Sequence, residues 1–229
     1  PDGYALVGCV AVSMAQVMHY WRYPEYGSGS NSYYHWDYGN ISASFNTFYE
    51  YDNMDNHVGN PASQKLLFHA GVAVEMGYGA DGSGAWVMGG NPSAFHAMKN
   101  YFLYRTDMES VEPSDFSTSG YRDLLKEELD ANRPIIYRGC SNDGCHAWNL
   151  DGYEDDEFHN NWGWGGYNNG YFPLSTLGGF QYDQGALVNI QPQSLDAPNV
   201  VLNSFSTSET IGDGDCLLYT SDAADDSLR

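Results

Sequence analysis

The hydrophobic period changes part-way along this chain, and no other feature restricts its fold as much. Up to about residue 132 the apolar residues recur at helical spacing; beyond it they alternate, or gather in short runs bounded by Gly, Asn and Asp. Val10, Met14, Val17, Met18 and Trp21 follow Cys9 along one helical face, with Ala11 and Ala15 small beside it, and Pro24 stops the pattern. A stretch rich in Gly, Ser, Asn and Tyr, from Gly27 to Gly59, predicts loops with short strands. From Ser63, a suitable N-cap, a second helix carries Leu66, Leu67, Ala70 and Val74 on one stripe. Pro92 to Phe102 predicts a short helix. Ser119 to Asn132 predicts a surface helix that turns Tyr121, Leu124, Leu125 and Leu129 inward. Then Arg133–Gly139, His146–Tyr153, Glu157–Trp162, Gly170–Leu174 and Gly185–Pro192 predict strands, the second and third joined by an acidic turn. Helices first and strands later imply an α+β fold, with a helical N-terminal half and a C-terminal half built on an antiparallel sheet.

Charge narrows the function classes. Thirty acidic residues against nine basic ones leave a net charge of −21. That balance opposes binding to nucleic acid or to an anionic membrane surface, both of which call for Lys/Arg patches, and it suits solubility in an extracellular setting. No run approaches the ~18–20 apolar residues of a membrane span, so membrane insertion is not expected. The chain opens on Pro-Asp-Gly with no signal peptide, so its N-terminus is expected to be processed or truncated. Residues 1–192 read as one domain. Residues 193–215 read as a Pro-containing linker entering one alternating strand of a further β domain. The tail 216–229, CLLYTSDAADDSLR, resembles a translated sequencing adapter rather than protein sequence.

A cysteine that opens a helix sits at the positive end of the macrodipole among free backbone N–H groups, and both features stabilise a thiolate. Cys9 has that position, and Gly8 before it removes a side chain that could crowd a substrate. On this stretch alone a small buried thiol is the favoured reading. The second stretch, HAWNLDGYEDDEFHNNWGWGG from His146, tips the balance. With a turn near Glu154 to Asp156, an antiparallel hairpin brings His146 and Asn161 near each other. The Asn161 carbonyl oxygen would then accept an imidazole N–H, His146 would face Cys9 with its other nitrogen, and Trp162 would cover that bond from water. Competing readings give this region other roles. Cys140, Cys145 and His146 offer at most three local ligands to a metal; Cys140 and Cys145 are either unlinked thiols or a disulfide. Asp151 could orient His146, as in other acyl-transfer enzymes, though alternation along a strand makes their spacing poor. The Trp- and Tyr-rich run after Asn161 could stack on sugars.

The wording goes further than the spacing. GCVAVSMAQVMHYWRYP together with HAWNLDGYEDDEFHNNWGWGGYNNGYFPL closely resembles the streptopain family of bacterial cysteine peptidases, the C10 type, over roughly residues 1 to 192. The resemblance implies a papain-like fold and a secreted bacterial endopeptidase made as a zymogen. Its substrates would be proteins or peptides, its partner an inhibitory N-terminal propeptide, and it would use no cofactor or metal. His146 follows Cys9 at a separation within the about 130–150 residues stated for papain-like enzymes. Carried across, Cys9 is the nucleophile, His146 the general base and acid, Asn161 the residue that orients the imidazole, and Trp162 its shield. Gly163, Trp164, Gly165 and Gly166 would line the substrate cleft. Two positions depart from the family pattern: Cys145 stands where a small residue such as Gly is usual, and Asn160 where an apolar one is. The upstream glutamine that shares the family's oxyanion hole falls outside this chain, and an oxyanion donor is worth ~10²–10³ in turnover.

Overall fold

A computed structural model describes residues 5–55 and 58–193. The residues expected to form a linker and strand, apart from Gln193, and those of the adapter-like tail lie outside the described residues. In chain order the elements are α1 (Cys9–Trp21), β1 (Ser30–His35), β2 (Gly39–Ser44), α2 (Pro61–Ala73), α3 (Ala94–Asn100), β3 (Glu109–Val111), α4 (Thr118–Asp130), β4 (Ile135–Cys140), β5 (Cys145–Glu154), β6 (Glu157–Asn161), β7 (Gly170–Pro173) and β8 (Tyr182–Val188). β1 and β2 form a separate hairpin, and the other strands make a six-stranded antiparallel sheet in the order β3-β8-β4-β5-β6-β7.

Helix α1 departs from its expected one-sided character. Every residue from Val10 to Met18 is buried, because one side packs on α2 and the other on β5. A helix sandwiched this way has no face for water, so its two polar members need internal partners. Ser13 finds one at once, donating its Oγ–H to the Cys9 carbonyl at 3.0 Å. The helix stops where Arg22 takes a left-handed conformation (φ 50°), letting its N–H and that of Tyr23 satisfy the carbonyls of His19 and Met18; Pro24 then bars any continuation.

Helix α2 starts earlier than the pattern suggests. Asn60, not Ser63, is the N-cap: its Oδ1 accepts from the N–H groups of Ala62 and Ser63, while Ser63 Oγ accepts from Asn60 N–H at 3.0 Å. With Pro61 as first helical residue this is a complete capping box, in which Ser63 holds the third position. In α4, Tyr121 and Leu125 are buried as expected, and Glu128 is buried with them. Its carboxylate is answered by a bidentate Arg133 and by the N–H of Asn189.

Two apolar clusters flank the sheet. One gathers α1, α2 and α3 against Ile136, Ala147 and Leu187; the other sets Tyr121 and Leu125 of α4 against Tyr137, Trp148, Leu150, Phe158 and Trp162. The edge strand β3 is too short to show in the sequence pattern and is recruited by pairing with β8. At the opposite end of β4, Cys140 and Cys145 pair directly across the ladder and form a disulfide, so the reading of two unlinked thiols does not hold. The intact mass of the monomer should rise by about 2 Da when the protein is reduced without alkylation; an unchanged mass would refute the bridge.

Candidate active site

The first turn of α1 delivers Cys9 to the sheet. Gly8 precedes it with φ 91°, a conformation few side chains adopt, and a Cβ there would come within 2.6 Å of Met76 Sδ. Glycine at this position therefore makes room for Met76 rather than for a substrate. The backbone N–H groups of Ala147, Val10 and Cys9 itself lie on the side of the Cys9 sulfur and favour its thiolate. These donors lower its pKa in the way a helix start should, but burial outweighs them and pushes the thiol up. Ala147 is the neighbour of His146, so the start of α1 meets β5 beside the imidazole.

His146 Nε2 lies 2.9 Å from the carbonyl oxygen of Trp162. A carbonyl can only accept, so Nε2 carries the hydrogen and the neutral ring keeps Nδ1 as its basic nitrogen. Aromatic side chains enclose the ring: Trp148 stacks at 5.9 Å between centroids, Trp164 at 4.9 Å and Trp162 at 6.2 Å, with Phe180 tilted at 5.3 Å. Burial in this box pushes the imidazole down to about 4, against the smaller opposing pull of the Trp162 carbonyl. At neutral pH the site thus rests as a thiol beside a neutral imidazole. The described hydrogen bonds of the two side chains do not include one between them.

The expected bond from Asn161 to the imidazole is replaced by this one, and the ladder explains why. β5 and β6 turn through Asp155 and Asp156, within the expected span, but the ladder counted from that turn does not place residue 161 opposite residue 146, and a bulge between Leu150 and Gly152 shifts the register by one residue. Asn161 consequently pairs with Asn149 rather than lying near His146. Its Oδ1 accepts instead from the N–H of Gly163 at 3.2 Å. That N–H and the Trp162 carbonyl belong to one planar peptide unit, so the Asn161 side chain aims the oxygen that holds His146. Trp162 is itself clamped, with its N–H on Asn169 Oδ1 and its Nε1–H on the Asn168 carbonyl. Its ring also runs so close to Gly178 that a Cβ there would come within 2.9 Å.

The remaining candidates fall on both sides of expectation. Trp164 stands against His146, while Gly163, Gly165 and Gly166 supply the positive φ values (73°, 60° and 85°) that turn the chain back beneath it. Asp151 is bonded to His159, not to His146. Cys140 and Cys145 spend their sulfurs on each other and cannot be thiolate ligands. A separate apolar groove of about 560 Å³ lies on the helical half, between Val7, Ile41, Leu67, Phe68 and Tyr78. The sequence reading overlooked Trp148 and Phe180, and also Gln16 and Asn149, the buried pair that joins α1 to β5. Trp148 had a signal, lying two residues beyond His146 on a strand; Phe180 had none.

This chain is similar to known proteins over most of its length. The Peptidase C10 family matches residues 1–172. The thiol protease/hemagglutinin PrtT of Porphyromonas gingivalis is 32% identical over 226 residues, which cover 88% of this chain and 25% of that protein. Streptopain of Streptococcus pyogenes is 31% identical over 216 residues, 82% of this chain and 53% of its own. The chain therefore spans about half, or less, of the curated relatives it matches. Among solved structures, active wild-type interpain A, a cysteine protease of Prevotella intermedia, superposes with a TM-score of 0.71 at 33% identity, over 81% of this chain and 84% of that one. A prointerpain A fragment from the same organism gives 0.70 at 32% identity, over 81% and 63%. The α+β, papain-like architecture expected from the sequence is the fold these structures share with it.

Two outcomes test the site's physics. An imidazole near 4 when folded and near 6.5 when unfolded means that the unfolded chain binds the extra proton between those values. Stability is then undiminished above pH 6.5 and falls by about 3 kcal/mol as the pH drops to about 4. Urea unfolding of wild type and His146→Gln across this range should show the extra acid sensitivity in wild type alone; parallel curves would show that His146 is not buried neutral. Gly8→Ala should lower stability by about 1–3 kcal/mol, through backbone strain and overlap with Met76. An unchanged urea midpoint would contradict that geometry.

Proposed function

Because the chain belongs to the Peptidase C10 family, we propose that it is a cysteine endopeptidase that hydrolyses peptide bonds through a thioester on Cys9. The observation that carries this reading is the meeting of α1 and β5. Cys9, at the start of a helix packed on β5, comes up beside Ala147, and the adjacent His146 has its tautomer set by the Trp162 carbonyl.

In the resting site the pair is neutral, so attack is coupled to proton transfer. His146 Nδ1 takes the thiol proton as the Cys9 sulfur adds to the substrate carbonyl carbon, and the backbone N–H groups at the start of α1 face the developing oxyanion. The imidazolium then gives the proton to the amide nitrogen, the C–N bond breaks, and the amine leaves. Water, deprotonated by the same nitrogen, adds to the thioester; the C–S bond breaks, and acid and thiol are regenerated. Asn161 orients the imidazole through the Trp162–Gly163 peptide unit, whose carbonyl holds Nε2–H. Trp164 and the glycines from Gly163 to Gly166 line the substrate side.

The same reading places the protein outside the cell. The Cys140–Cys145 disulfide suits an oxidising compartment, and the strongly acidic composition suits a secreted protein. Among the described residues no helix is long and apolar enough to cross a membrane. An N-terminal propeptide that covers the cleft belongs to the proposal, and the likeness to prointerpain A supports it.

Turnover of a fluorogenic peptide and of denatured casein should vanish in Cys9→Ala and fall about 10²–10⁴-fold in His146→Ala. An acyl adduct on Cys9 should appear by intact mass when an activated ester is supplied. Turnover that survives in Cys9→Ala would overturn the reading; an inert Cys9 in a folded wild type would point to an inactive homologue.

A further inference from the structure

We propose that Gln16, together with Asn149, is a positioning residue for the His146 imidazole: it locks the nucleophile helix to the peptide unit that holds the ring. The kinetic consequence rests on the peptidase reading, whereas the linkage itself rests on geometry.

Gln16 follows Cys9 on α1, where everything from Val10 to Met18 is buried, and is only 6% exposed. A primary amide in such a place costs stability unless it is answered. Its Oε1 accepts from Asn149 Nδ2 at 2.7 Å, and its Nε2 lies 3.4 Å from Asn161 Oδ1. Asn149 also donates to the carbonyl of Ser13, 3.2 Å away on the same helix. Asn149 and Asn161 face each other across the β5–β6 ladder, so one side chain of α1 grips both strands at the same rung.

From that rung the linkage runs outward in single steps. Asn161 Oδ1 takes the N–H of Gly163, the same peptide unit presents the Trp162 carbonyl, and that carbonyl takes His146 Nε2–H. Cys9 and Gln16 share one rigid helix, so a single body carries the nucleophile at one end and the anchor of the base's holder further along. The distance between thiol and imidazole is then set by helix against rung, not by a direct bond between the two. A side chain kept only for stability would need no polar end here, since an apolar residue of the same length would fill the space.

The test uses the full chain with ¹⁵N-labelled histidine, in wild type, Gln16→Met, Asn161→Ala, the double variant, and Leu125→Ala as a control that destabilises the other face of the sheet. Wild type should show the His146 ring as a single Nε2–H tautomer. Gln16→Met and Asn161→Ala should each convert it to a tautomer mixture and lower kcat about tenfold to 10²-fold with KM unchanged. The double variant should be no worse than Asn161→Ala, because both act on one peptide unit. If Gln16→Met does not fold, Gln16→Glu keeps the size and the Asn149 contact but, once ionised, cannot donate to Asn161, and should shift the tautomer likewise. The proposal is overturned if the Gln16 variant lowers Tm as Leu125→Ala does while keeping the Nε2–H tautomer and kcat, or if the two variants add. A wild type without turnover would bear on the peptidase reading alone, because the tautomer shift still decides the role of Gln16.

Discussion

Helix α1 has no face left for water from Val10 to Met18, so each polar group on it must be met by a neighbour, and those neighbours make the site. Ser13 bonds within the helix to the Cys9 carbonyl, while Gln16 accepts from Asn149 and donates to Asn161, and Asn149 also donates to the Ser13 carbonyl; these last three bonds fix the helix against β5 and β6. Burial supplies the force and polar satisfaction supplies the register. An apolar helix in the same slot could slide or rotate at little cost; one carrying a buried amide cannot. The start of α1, where Cys9 meets Ala147, inherits that precision.

The same burial governs the electrostatics. It raises the thiol and lowers the imidazole, so the charge-separated pair is disfavoured. The backbone donors at the helix start act in the opposite sense, and in the proposed mechanism they face the negative charge that develops on sulfur and then on oxygen. A site of this kind holds its charge-stabilising groups ready without carrying charge at rest. The aromatic box of Trp148, Trp162, Trp164 and Phe180 is what excludes water from the imidazole, and it does so with rings that also fill the second apolar cluster.

Beside the site the chain closes its own hairpin covalently. Cys140 and Cys145 join the end of β4 to the start of β5 one residue before His146, and the turn between them is further tied by Ser141 and Gly144. His146 is therefore held from both sides: by a bridged hairpin behind it and by the Trp162 carbonyl ahead. The buried Asp151–His159 pair, hydrogen-bonded to each other, lies further along the same two strands.

Local chemistry was legible in the sequence because it depends on neighbours a few residues apart. The helix after Cys9, the stop before Pro24, the strands on either side of the acidic turn, and the order of helices before sheet all follow from period and punctuation. Cys9 and His146 as the reacting pair to propose came from the hairpin reading together with the resemblance to the streptopain family. The all-round burial of α1 was not legible, since it is imposed by packing between α2 and β5, and neither were the cap at Asn60 and the edge strand β3. Above all, the atom that His146 bonds was decided in three dimensions. A turn through Asp155 and Asp156 and a one-residue bulge after Leu150 move Asn161 opposite Asn149 and bring the Trp162 carbonyl to the ring. Register is a sum over a whole ladder, so a shift of a single residue leaves the sequence pattern intact and changes which groups meet.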